Sequence, residues 1–253
     1  MAGMDPVNQG KGDMKPRSSE PVVLALDAAG LVCSVAVAIG ERVLGVERME
    51  RIHGQAEVLL PMVEAAMRKA ALPPSALDLV GTTVGPGSFT GVRVGLAAAR
   101  GIAFSTGALL IGVTGFEAVA AGLARSGDDL RARFLLIALE SRREELYIQL
   151  FDLAGGSLGE PAAVLPIALG EVVERAIGEA PLLVAGDAAH RAALALSRHL
   201  RTTVIEDSAS DAVGLARVAL HQWRRSGRGN QPRPLYLHAP EVTLWSGRPR
   251  ASR

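Results

Sequence analysis

The sequence predicts a duplicated α/β protein of two lobes, each built in the order βββαβαβα. Three observations carry that expectation. Two stretches of roughly a hundred residues, one opening at residue 22 and one at residue 134, pass through the same succession of apolar periods. In both, strand-like runs come first and helical periods then alternate with short strands, the pattern of mixed sheets covered by helices. At 253 residues the chain can hold one large core or two small ones set back to back.

In the first stretch VVLALD, VCSVAVAI and RVLGVERM are apolar runs separated by AAGL and by the tight turn Gly40-Glu41, which predicts a three-stranded meander. The period then changes. Ile52, Ala56, Leu59, Val63, Met67 and Ala70 fall on one helical face, and Pro73-Pro74 stops the segment. A strand over 77–84, the loop GPGSFTG, a helix over about 92–105, a strand over 109–113 and a helix opened by Thr114 as cap complete the lobe. In the second stretch FLLIALE and ELYIQLF pair around SRRE, and a short strand follows near Ala163. Helices over 169–179, 188–200 and 211–223 alternate there with strands over 182–185 and 203–205. SGDDLRAR is the expected linker, which divides the chain into a leader (1–20), a first lobe (21–125), a second lobe (126–240) and a basic tail (241–253). Two mixed sheets facing each other without word-for-word repetition is the plan of the actin, sugar-kinase and Hsp70 superfamily.

Composition bounds the function. Apolar residues make up 49% of the chain, 21% is charged, and the net charge is +1. That is a globular balance with no global attraction to phosphates, so any RNA contact must be local. The leader, rich in Gly, Pro and charge, does not read as a signal peptide. No apolar run reaches the roughly 20 residues of a membrane span, and a cytoplasmic protein is expected. The single cysteine, Cys33, lies in an apolar strand, where it suits a buried residue better than a nucleophile.

The most informative segment is VGPGSFTGVRVGLAAARGIA, residues 84–103. Its glycines and proline break a strand, Ser88 or Thr90 can cap the next helix, and the amides at its start could hold an anion. Within the helix Gly91, Gly95, Ala99 and Ala103 recur every four residues, although each glycine costs about 1 kcal/mol in a helix interior. Such a stripe suits close packing on the protein's own sheet or an approach by a foreign helix. The preceding RIHGQAEVLLPMVEAAM, able to lie alongside and extend an apolar surface, gives the interface reading its weight.

Together these segments carry a resemblance. LALDAAG, HGQAEVLLP, GPGSFTGVRVGLAAARGIAF and IGVTGFEAVA look like the TsaB (YeaZ) family, catalytically incompetent relatives of the universal TsaD protein. ESRREELY resembles that family's Asp-Ala-Arg-x-x-Glu-Val-Tyr stretch and PLYLHAP its Pro-x-Tyr-Leu-Arg, so the likeness runs over about residues 22–242. It implies a non-catalytic scaffold that binds and orders TsaD, the subunit that transfers threonylcarbamoyl to N6 of adenosine 37 in tRNAs reading ANN codons. TsaE, an ATPase, would join the pair, TsaC would supply the threonylcarbamoyl adenylate, and the chain alone would form a homodimer. The implied interface runs through the helices at about 52–71 and 91–105: Leu60, Val63, Met67, Gly91, Gly95 and Ala99, with Pro86, Gly87, Phe89 and Arg93 shaping the loop. On this reading Gly95→Trp would abolish partner binding and leave the monomer folded.

Asp27 ends the first strand where the superfamily places an acidic residue near metal and phosphate. The companion turn Ala28-Ala29-Gly30 is only partly glycine-rich, and its counterpart Glu140-Ser141-Arg142-Arg143 is bulky and charged, so no intrinsic cofactor is expected. ATP or ADP with Mg²⁺ at the junction with the partner is left open, as is Asp27 as a plain turn cap. The metal site of TsaD uses two histidines four residues apart, whereas here His53 has Met49 and Glu57 at those positions. A stand-alone ATP-dependent phosphotransferase or ATPase and a glycoprotease-like metallopeptidase are the rival readings. The arginine-rich tail, with Trp223, Tyr236 and Trp245 interleaved, suits either a solvated end or a local RNA contact.

Overall fold

The computed structural model describes residues 20–50, 54–123, 133–141 and 143–238. In the first lobe β1 (Val22–Asp27), β2 (Val32–Ile39) and β3 (Arg42–Glu50) form the antiparallel meander. α1 (Gln55–Ala70), β4 (Leu79–Gly85), α2 (Phe89–Thr106), β5 (Leu109–Thr114) and α3 (Gly115–Leu123) follow, with β4 parallel to β1 and β5 parallel to β4. The second lobe repeats the plan with β6 (Phe134–Glu140), β7 (Leu146–Asp152), β8 (Ala162–Val164), α4 (Pro166–Ile177), β9 (Leu182–Ala185), α5 (Ala189–Leu196), β10 (Thr202–Val204) and α6 (Ala212–Ser226). The sheet orders are β3-β2-β1-β4-β5 and β8-β7-β6-β9-β10, one topology used twice. This is the duplicated actin-like fold. The expected leader except for Glu20, the linker except for Arg133, the tail from residue 239, and Ile52, His53 and Arg142 lie outside the described residues.

β1 shows why the run VVLALD is continuously apolar. It is central in its sheet and buried throughout, since helices cover both faces. Leu24 and Leu26 point into the core beneath α1 and α2, and Val23 and Ala25 point to the opposite side beneath α6. Helix ends are marked by their caps. The Ser88 hydroxyl accepts from the Gly91 N–H (3.2 Å) at the start of α2, and the Asp211 carboxylate accepts from the Gly214 N–H (2.8 Å) at the start of α6. At α3, Thr114 and Glu117 form a reciprocal capping box: the Thr114 hydroxyl accepts from the Glu117 N–H (3.1 Å) and the Glu117 carboxylate accepts from the Thr114 N–H (2.8 Å). The buried face of α1 is Leu59, Met62, Ala66 and Met67, whereas Ala56, expected on it, is exposed.

Two features depart from a simple tandem of lobes. α6 is the last helix of the second repeat, yet it packs on the first sheet, with Ala212, Leu215, Ala216 and Ala219 joining Val23, Ala25, Ile111 and Val113 in one core. Gly81 permits this approach, because a Cβ there would lie 2.7 Å from the Leu215 side chain and 3.1 Å from Ala219. The chain after α6 is also ordered on the fold. Asn230 accepts from the Gly112 N–H (2.8 Å) and donates to the Gly112 carbonyl (3.2 Å), the Arg100 guanidinium donates to the Pro232 carbonyl (2.8 Å), and the Leu235 N–H donates to the Val84 carbonyl (2.7 Å). This strap lies along the otherwise free edge of β5, then crosses to the second lobe, where Leu237 packs in its core and His238 stacks on Tyr147. The solvated-end reading therefore fails for residues 229–238. No described helix is long and apolar enough to cross a membrane.

Candidate functional site

The loop between β4 and α2 is pressed against the β1–β2 turn. The Ser88 N–H donates to the Ala29 carbonyl (2.7 Å), and Gly87, at φ 153°, sits where any Cβ would enter that same carbonyl. One turn on, a Cβ at Gly91 would collide with the Ala28 carbonyl oxygen and lie 3.1 Å from its carbon. At Gly95 it would meet the Thr82 hydroxyl at 3.3 Å. Ala99 is fully buried in the core of the first lobe, and Met67 joins it there.

The stripe Gly91, Gly95, Ala99 is thus sealed inside the monomer, and the expectation that it forms the interface is corrected. Small residues are needed there because α2 runs close over β4 and the β1–β2 turn. Met67 is likewise core and Val63 is half-buried against it, while Leu60, at 52% exposure, points outward. Gly95→Trp would wedge α2 off its own sheet, so it does not separate partner binding from folding.

The opposite side of α2 presents a different row: Arg93, Ala97, Arg100, Gly101 and Phe104. Phe104 is 80% exposed, and a Cβ at Gly101 would touch nothing within 4 Å. At the head of the helix the Arg93 guanidinium lies 3.5 Å over the Phe89 ring and donates to the Tyr236 hydroxyl (3.1 Å), with the Phe89 and Tyr236 rings 5.3 Å apart. The predicted loop residues Phe89 and Arg93, one turn apart on α2, both meet Tyr236 of the strap, a contact the spacing did not announce. Pro86 and Gly87 instead line the cleft between the lobes. One signal could have separated the two faces of α2. The inward stripe is flanked by Val92 and Leu96, whereas Ala97 and Gly101, also four apart, keep company with Arg93 and Arg100.

Asp27 is buried at that cleft. Its carboxylate accepts from the Ala29 N–H (3.0 Å) and the Ser210 hydroxyl (2.6 Å), so it does cap a turn. Burial holds its carboxyl above the ordinary range, against the pull of those hydrogen bonds. Asp187 of the second lobe faces the same cleft and is raised too, first by burial and further by the charges of Glu140 and Asp27. Cys33 is pushed up to about 11 by burial, with the Asp27 charge adding to it, so its thiol stays protonated.

A nucleotide phosphate needs free amides, and three of those in the two turns are engaged. The Ala29 N–H serves Asp27, the Glu140 N–H serves the Asp187 carboxylate (2.9 Å), and the Arg143 N–H serves the Ser141 hydroxyl (3.0 Å). Arg191 clamps the same turn through the Glu140 carboxylate and the Glu144 carbonyl. About 60 Å³ remains between Asp27 and Asp187, room for a few waters. Among the described residues no group of three His, Cys, Asp or Glu side chains could hold a metal ion.

The family described as TsaD, tRNA N6-adenosine threonylcarbamoyltransferase, matches residues 45–173, just over half of the chain. The chain is 33% identical over 127 residues to the tRNA threonylcarbamoyladenosine biosynthesis protein TsaB of Haemophilus influenzae, covering 49% of this chain and 51% of that protein. It is 31% identical over 124 residues to the tRNA N6-adenosine threonylcarbamoyltransferase of Erythrobacter litoralis, 49% of this chain and 35% of the transferase. The matches thus span about half the length of the TsaB relative and a third of the transferase. A solved protein from Pseudomonas aeruginosa, described as similar to peptidase YeaZ, superposes with a TM-score of 0.71 at 26% identity, covering 86% of this chain and all of the other.

Proposed function

The chain belongs to the TsaB (YeaZ) proteins of the TsaD family, and on that premise we propose that it is a non-catalytic subunit in the synthesis of N6-threonylcarbamoyladenosine on tRNA, docking a TsaD-type transferase on the outward faces of α1 and α2. The observation that carries the reading is the exposed apolar row on those helices: Leu60 at 52%, Phe89 at 44% and Phe104 at 80%, with Ala97 and Gly101 small between them. Large apolar side chains held in water on neighbouring helices are the mark of a protein interface. The small residues allow a foreign helix to approach closely.

The TsaD family matches residues 45–173, which hold α1 and α2, so both partners would carry the same helix pair. Two copies of one helix pair meet most simply about a near two-fold axis, and the same face would pair this chain with itself when the transferase is missing. The engaged amides and small volume of the Asp27 cleft support the non-catalytic part of the reading. A nucleotide with Mg²⁺ belongs, on this view, to the junction with the partner, where a TsaE-type ATPase would join. TsaC and tRNA would meet the transferase rather than this chain, and the cytoplasm is the compartment for that chemistry.

The test uses Gly101→Trp, Leu60→Asp and Phe104→Asp, each on outward positions where the monomer's stability should change by no more than about 0.5 kcal/mol. Calorimetric titration with the transferase should show affinity lowered at least tenfold for each. Folded variants that bind at full strength would remove the proposal.

A further inference from the structure

At the opposite end of β6 from the Asp27 cleft, a second crevice of about 630 Å³ opens between the lobes. We propose that it binds a small organic oxyanion, a carboxylate, phosphate or sulfonate attached to an apolar or planar body, with Arg217 as the anion-recognising group. This does not rest on the partner assignment.

One wall is the inner face of the second sheet, where the nearly buried Leu135, Phe151 and Leu183 and the half-buried Ile205 line the space. The other wall is α6. Arg217, His221 and Arg225 stand at positions one and two turns apart and all line the crevice, which places three nitrogen-bearing side chains on one stripe of the helix. The acidic residues of the crevice are engaged. Glu117 accepts from the Thr114 N–H and hydroxyl and from Gln222 (3.2 Å), Asp152 accepts from the Gly156 N–H (2.7 Å), and Glu41 accepts from Arg224 (3.0 Å). Among the described residues none pairs with Arg217, and its Nε is wholly buried without a hydrogen-bond partner.

A guanidinium held half-buried with an orphan N–H is costly unless a ligand completes it. Its planar fork matches an oxyanion in a bidentate way. The volume lies in the range of small-molecule sites, and an apolar wall facing a few placed polar and charged groups is the usual construction of such a site. A purely anionic ion would leave the apolar wall wet, and a purely apolar ligand would leave the guanidinium unpaired. The two walls together select a molecule with both parts.

The full chain is titrated with 8-anilinonaphthalene-1-sulfonate and, separately, with the uncharged N-phenyl-1-naphthylamine, following fluorescence. Arg217→Gln should raise the Kd for the sulfonate about tenfold or more while leaving that of the neutral probe within about twofold. Ala121→Trp, which adds bulk to the α3 side of the crevice, should weaken both probes. Arg217→Lys keeps the charge without the fork and should fall between wild type and Gln. The proposal is overturned if Arg217→Gln, folded by circular dichroism, binds the sulfonate like wild type or loses both probes equally. It is also overturned if Ala121→Trp leaves sulfonate binding unchanged, since the probe then sits elsewhere.

Discussion

Two glycines on one helix, Gly91 and Gly101, should respond in opposite ways to the same methyl group. At Gly91 the added Cβ enters the Ala28 carbonyl, backbone against backbone, so α2 must move off the β1–β2 turn. Overpacking of that kind costs about 3 kcal/mol at the upper end of its usual range. The shift also strains the Ser88 cap, worth about 1 kcal/mol, while alanine's better helix propensity returns about the same amount. The net is about 3 kcal/mol of destabilisation, or roughly 6–12 °C in Tm for a chain of this size. At Gly101 nothing lies within 4 Å, so only the propensity acts, and Gly101→Ala should raise Tm by about 1–4 °C. Thermal unfolding of the two variants beside wild type decides the matter. A Gly91→Ala protein as stable as wild type would refute the inward assignment of the stripe, and a Gly101→Ala protein that melts several degrees lower would refute the outward one.

Three further outcomes follow from the same geometry. Asp27→Asn keeps an acceptor for the Ala29 N–H and can donate to Ser210, so it should raise Tm at pH 7. Because burial raises the folded-state pKa, the ionised carboxyl opposes folding above that value and the penalty fades as pH falls toward 3.8, so the advantage of Asn should shrink over that descent in a pH series of melts. Asn230→Ala removes both side-chain hydrogen bonds to Gly112 at the edge of β5 and should cost about 1–2 kcal/mol in urea unfolding. Tyr236→Ala frees Arg93 and uncovers Phe89, and cleavage by trypsin after Arg228, at the start of the strap, should become faster than in wild type.

Most of the element order was legible because it rests on local signals. The meander, the Pro73-Pro74 stop, the Thr114 cap and the short strand at Ala163 all lie where period and punctuation put them. α4 begins at Pro166, three residues before the expected start, because a proline at the first helical position has no N–H to lose. What could not be read was which surface each helix meets. Small residues four apart occur on both sides of α2, and spacing alone assigns neither to solvent; the carbonyl of Ala28 decides it. The crossing of α6 to the first sheet was equally hidden, since Leu215 and Ala219 say only that one face is buried and not that Gly81 awaits them. The strap was concealed by its composition. Its hydrogen bonds run mainly through backbone groups and one asparagine, so an arginine-rich reading pointed to solvent.

The placement of α6 also has a bearing on synthesis. A ribosome adding about 5–20 residues per second reaches Leu220 some 5–20 s after Val113, its neighbour in the same buried cluster. For that interval the nascent first sheet shows one finished side and one bare apolar side to the cell. The lobe made first is therefore among the last to close, and a ribosome stalled within the second repeat would leave a sticky, half-dressed intermediate for chaperones to shield.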